Sequence, residues 1–118
     1  MGNIVNFLTS NKFQEVQKTE HLKRKFKRGP YTIIYEDNNE LSIHGPLLNR
    51  KSVTANDVIA LVSYLRLSSS HKSSLRNKRF DILTYYSILK EKYAENLSDI
   101  DKAFVDSYEE CYREYLKS

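Results

Sequence analysis

The chain has 118 residues, 40 % of them hydrophobic, with 19 Lys and Arg against 15 Asp and Glu and a net charge of +4. That length suits one domain with a small core, and three Gly and two Pro are too few to suggest long disordered stretches. A single cysteine, Cys111, excludes an intrachain disulfide and fits a reducing compartment; no apolar run approaches the roughly 20 residues that span a bilayer.

Residues 4–20 mix apolar and polar positions at roughly helical spacing. Thr9, Ser10 and Asn11 are N-cap candidates, so the pattern predicts a loose start over residues 1–12 and a short helix from Lys12 to Glu20. No secretory signal is expected, because the apolar stretch 4–8 is short and its first basic neighbour, Lys12, follows it. Gly29-Pro30 punctuates the chain. Tyr31-Thr32-Ile33-Ile34-Tyr35 has high strand propensity, Glu36-Asp37-Asn38-Asn39 is turn chemistry, and residues 40–44 alternate so that Leu41 and Ile43 share a face. Together they predict a β-hairpin over about 31–44. An isolated hairpin is marginal, so it must pack on helices or recruit a third strand, from residues 22–28 or 47–53.

Ser52 or Thr54 then starts a helix whose apolar stripe (Val58, Ile59, Leu61, Val62, Leu65) is wide enough for the centre of a core. Ser68-Ser69-Ser70 reads as its stop. The next helix is expected over about 74–93, with Phe80, Leu83, Ile88, Leu89 and one of Tyr85 or Tyr86 facing inward. Ser98 with Asp101 three residues on is a variant capping box, opening a last helix that runs to about Leu116. The expected fold class is α+β: a hairpin packed with an N-terminal helical segment and three C-terminal helices, in a single domain.

Charge is unevenly distributed. Residues 1–30 balance at +5, 31–48 at −3, 49–80 at +6 and 81–118 at −4. Such asymmetry points to an anionic partner, whether lipid headgroups, nucleic acid or an acidic protein, unless the acidic C-terminal segment packs on the basic blocks and cancels part of their field. The first block holds Lys23, Arg24, Lys25, Lys27 and Arg28; the second holds Lys72, Arg76, Lys78 and Arg79. Phe26, inside the first run, reads as a core residue. A helix–turn–helix with residues 54–66 and 74–93 would present the second block to a groove, but the linker lacks the tight Gly-containing turn. Gly2 would become terminal on removal of Met1, as N-myristoylation requires, although position 6 is Asn6 rather than Ser or Thr. One acyl chain binds membranes only marginally, and a polybasic patch is the usual second anchor.

No cofactor or metal site is expected. His21, His44 and His71 lie in separate segments, and no nucleophile elbow or phosphate-binding glycine loop occurs. Cys111 falls on an apolar helix face and reads as a buried, inert thiol. The carboxylates at 99, 101, 106, 109, 110 and 114 read as a solvated face. Tyr108, Tyr112 and Tyr115 form a stripe suited to a protein interface or a homodimer. The order of Gly2, a short helix, a basic segment and a helical body resembles that of retroviral matrix domains over about the first 30 residues, without a shared motif and with a hairpin where those domains are helical. The function expected is therefore non-enzymatic: a matrix-like or accessory protein, cytoplasmic and peripheral to a membrane, that docks on anionic lipid through Gly2 and the basic residues and offers its helical body to a protein partner. The alternative is a nucleic-acid-binding regulator that uses both basic blocks.

Overall fold

A computed structural model describes residues 2–18, 23–36, 40–77 and 81–118. The fold is α+β. Helix α1 (Ile4–Ser10) leads into strands β1 (Gln14–Lys18), β2 (Lys23–Arg28), β3 (Tyr31–Glu36), β4 (Leu41–His44) and β5 (Arg50–Val53). Helices α2 (Ala55–Leu65), α3 (Ser69–Asn77) and α4 (Ile82–Lys90) follow, then a 3-10 turn (Ala94–Asn96) and helix α5 (Asp99–Lys117). The strands form one antiparallel sheet in sequence order, β1-β2-β3-β4-β5.

The hairpin at 31–44 is present as β3 and β4, and its predicted turn residues 37–39 lie outside the described residues. It did not stop at three strands. Both candidate flanks supplied a strand, β2 from the first and β5 from the second. The tight β2–β3 connection explains the first: Gly29 takes a left-handed φ of 57°, the conformation favoured at the first central position of a two-residue hairpin loop. The central inner-face row is then Phe26 opposite Ile33 opposite Ile43. All three are buried, and each such side chain contributes about 1.5–3 kcal/mol of transfer free energy.

The helix expected over 12–20 is not there; residues 14–18 are strand β1. Thr9, Ser10 and Asn11 close a helix instead of opening one. Asn3 is the actual N-cap, its side chain accepting from the Asn6 N–H, and Phe7 and Leu8 are buried. At the other end the Lys12 N–H bonds the Thr9 carbonyl and the Phe13 N–H the Leu8 carbonyl. This is a Schellman closure, with Lys12 at φ 69° in the position glycine usually fills. No glycine advertised the stop, so the local N-cap signal was misleading.

Helix α2 is buried on every side from Val58 to Tyr64, as a helix enclosed by other elements must be. Thr54 caps it in a reciprocal box with Asp57. The single helix expected over 74–93 is two helices. The Ser-rich stretch read as a stop nucleates α3, with Ser68 Oγ accepting from the His71 N–H. Asp81 starts α4 by accepting from the Thr84 N–H. That break removes the recognition helix of the helix–turn–helix reading, and among the described residues the C-terminal part has four α-helices rather than three. In α4 the buried residues are Ile82, Leu83, Tyr85 and Leu89. Ile88, expected inside, is 46 % exposed, and Phe80 lies outside the described residues. Ser98 caps α5 as expected, but Asp101 is not solvated. It is buried and accepts a hydrogen bond from the Tyr85 phenol, which ties α5 to α4.

Candidate functional site

Strand alternation divides the first basic block. Lys23, Lys25 and Lys27 project to the outer face of the sheet, while Arg24, Phe26 and Arg28 project inward. The inward residues are structural. Arg24 makes two hydrogen bonds to the Glu15 carboxylate, at 2.7 and 2.8 Å, and its guanidinium lies 5.5 Å over the Phe26 ring. Arg28 donates to the Asn11 carbonyl at the exit of α1, where a cation favours the helix C-terminus. Burial and the nearby Arg66 charge push the Arg28 guanidinium down from its ordinary pKa.

The outer face is open. Its residues Thr32, Ile34, Ser42 and His44 are only half-buried, whereas their inward neighbours Ile33 and Ile43 are wholly covered. Lys25 pairs in register with Ile34, and that residue with Ser42; Lys27 pairs with Thr32, and that residue with His44. Lys51 and His44, which the sequence reading did not assign to the site, line a shallow depression of about 250 Å³ on this side, with Ile34, Glu36, Glu40, Leu41 and Ser42. Glu36 lies 3.8 Å from Lys23, a distance and exposure at which the pair contributes at most about 1 kcal/mol. The outer face thus presents a comb of ammonium groups spaced by two residues, about 7 Å apart.

Of the second basic block, the described members Lys72 and Arg76 do not extend that comb. Lys72 donates from Nζ to the Leu65 carbonyl at the end of α2. Arg76 donates to Ser73 Oγ and lies near the phenols of Tyr31 and Tyr64, where its charge opposes the rise that burial causes in both. For Tyr31 that rise reaches about 12. Both tyrosines belong to the helical side of the sheet. Lys78 and Arg79 lie outside the described residues. Two arginines outside the first block are ion-paired: Asp81 meets Arg50 at 2.8 Å, and Glu114 meets Arg66.

Arg66 is the most connected of these. It donates to both Glu114 carboxylate oxygens at 2.6 Å and twice to Asn11 Oδ1, at 3.0 and 2.6 Å. Those bonds hold the Glu114 carboxyl below its ordinary range. A carboxylate lowered in the fold stabilises it above the unfolded-state pKa, near 4.3 for Glu, and loses that contribution as pH falls through the folded value. Arg66→Gln is therefore expected to lower Tm at neutral pH, with the gap to wild type narrowing as the pH drops below about 4. A gap that stays constant down to acid pH would show that the ion pair is not its source.

Gly2 borders a second feature, a cleft of about 830 Å³ lined by residues 2–6, Arg24, Tyr35, Leu41, Val53, Thr54, Ala55 and Tyr115. Arg24, Tyr35, Leu41 and Val53 form the last inner row of the sheet, so the cleft and Gly2 lie on the side opposite the lysine comb. A side chain at residue 2 would run into the Tyr115 ring, which packs edge-to-face on Phe7 with centroids 5.7 Å apart. Glycine at this position therefore has a packing reason of its own.

The tyrosine stripe also divides. Tyr115 turns toward Gly2 and Phe7, while Tyr108 and Tyr112 stack on each other beside Tyr86. Cys111 is fully covered, and burial pushes its thiol up, so its thiolate, the reactive form, is disfavoured. Among the described residues no group of three or more His, Cys, Asp and Glu is placed to hold a metal ion, and no helix is long and apolar enough to cross a membrane. Comparison with protein-family models, with curated proteins and with solved structures found no match to this chain.

Proposed function

We propose that the protein is a non-enzymatic peripheral module that docks on anionic lipid through the open face of its sheet and leaves its helical body to a protein partner. The observation that carries this reading is the segregation of Lys23, Lys25 and Lys27 onto one uncovered face while the arginines of the same strand turn inward to Glu15 and Asn11. Each lysine near an anionic surface contributes about 1 kcal/mol. A flat comb with half-buried Ile34 among it, and with Val16 56 % exposed on the edge strand, suits a planar lipid interface.

Nucleic acid is the weaker reading. Sheets that bind single strands stack bases on aromatic rings, and the described outer face offers Thr32, Ile34, Ser42 and His44 but no Phe or Tyr. Docking in this form does not need an acyl chain on Gly2, because Gly2 lies at the cleft on the far side. Acylation would add an anchor only after the N-terminal segment left Tyr115.

The test is co-sedimentation with vesicles of phosphatidylcholine, alone and mixed with phosphatidylserine, at low and high salt, alongside a mixed-sequence single-stranded RNA. The protein is expected to bind the phosphatidylserine vesicles, to release at high salt as screened charges do, and to ignore phosphatidylcholine. Tighter binding to the RNA than to the anionic vesicles would replace the lipid reading with the nucleic-acid one.

A further inference from the structure

Tyr86, Tyr108 and Tyr112 form a column across the α4–α5 seam. Tyr86 and Tyr108 stack with centroids 4.3 Å apart and planes at 24°, and Tyr108 and Tyr112 continue at 6.4 Å and 15°. Phe104 closes the inner side against Tyr86 at 5.7 Å. The column already carries one cation: Lys90 Nζ lies 5.1 Å over the Tyr86 ring. The opposite end is Tyr112, 40 % exposed and, among the described residues, with no ring beyond it. Glu109 lies one helical turn before Tyr112 and Leu116 one turn after it, both exposed. The charges of Asp57 and Glu109 reach the column as well, adding to the rise that burial causes in the phenols of Tyr108 and Tyr86 respectively.

An aromatic face rimmed by carboxylates attracts cations. The guanidinium of arginine is the best fit, because it is planar, stacks on a ring and bonds a carboxylate at its edge. We infer that the Tyr112 end of this column, with Glu109 and Leu116, is a docking strip for an arginine-bearing segment of a protein partner. Guanidinium stacks on Tyr112, the carboxylate of Glu109 takes its edge, and the aliphatic stem lies along Leu116. The strip lies on the helical body and acts whether or not the lysine comb binds lipid.

The probe is a short capped peptide of alternating arginine and glycine, titrated into the full chain and followed by calorimetry or amide chemical shifts. Tyr112→Leu keeps every charge and removes the ring, and it is expected to weaken binding about three- to fivefold. Tyr112→Phe keeps the ring and should stay within about twofold of wild type. Glu109→Gln should weaken binding and flatten its salt dependence. Equal affinity in wild type and Tyr112→Leu would overturn the proposal. So would a wild-type self-association that is abolished both by charge reversal at Lys23, Lys25 and Lys27 and by Tyr112→Leu and that the peptide competes away, because the occupant would then be a second copy.

Discussion

Phe104→Ala is expected to cost about 4 kcal/mol of stability, within the 3–5 kcal/mol typical of a buried phenylalanine truncated to alanine. That is a large share of the 5–15 kcal/mol by which such domains are stable. For a chain of this size it corresponds to a fall in Tm of roughly 10–20 °C, measurable by thermal or urea unfolding. Phe104 is buried where α4 and α5 meet, stacked on Tyr85 at 6.2 Å and tilted against Tyr86 at 5.7 Å. One turn earlier on the same helix, Asp101 receives the Tyr85 phenol. Removing the ring opens a cavity and unseats that hydrogen bond together with the base of the tyrosine column. Ile88→Ala is the control. Its side chain is about half exposed, and a surface truncation of this kind should stay within about 0.5 kcal/mol. Comparable losses from the two variants would mean that α4 is rotated relative to the arrangement described.

That pair of residues also shows where sequence patterning succeeds and where it runs out. Phe104 belongs to a long run of three- and four-residue steps on α5, with Ser98 marking the start, so both the helix and its buried face were legible. Ile88 follows the same spacing only if α4 begins near residue 74. The extended N-cap at Asp81 rotates the frame, and nothing apolar near Ser68-Ser69-Ser70 announced that a separate helix begins there. The hairpin at 31–44 was legible because strand propensity, turn residues and alternation agreed. β1 was not: Phe13, Val16 and the caps before them fit a helix equally well, and the deciding interaction is pairing with β2, a separate strand six to thirteen residues further on. Asp101 looked like one acid among six on a polar face. Its phenolic partner comes from another helix, and no local pattern carries that information.

The site was legible as composition and illegible as geometry. The run 23–28 shows five positive charges in six residues, and as a bare charge count they are equivalent. As a strand they are not, and the consequence is a dissection with opposite readouts. Lys23, Lys25 and Lys27 changed together to Gln should weaken binding to phosphatidylserine vesicles about 100-fold, from three contributions of about 1 kcal/mol each. Their folding should be nearly unaffected, because side chains on the open face of a retained strand are replaced by neutral ones of similar length. Arg24 and Arg28 changed to Gln should behave in reverse. The Glu15 pair, the contact over Phe26 and the closure of α1 at Asn11 are lost, so Tm falls while vesicle affinity, compared below both transitions, stays within about threefold of wild type. If the two arginines reduced affinity in proportion to their charge, the lipid would be responding to the summed field of the strand and the face would have no special standing. Only a difference per charge between lysine and arginine positions supports docking by a surface, because net charge falls in both variants and only the side of the sheet that loses it differs.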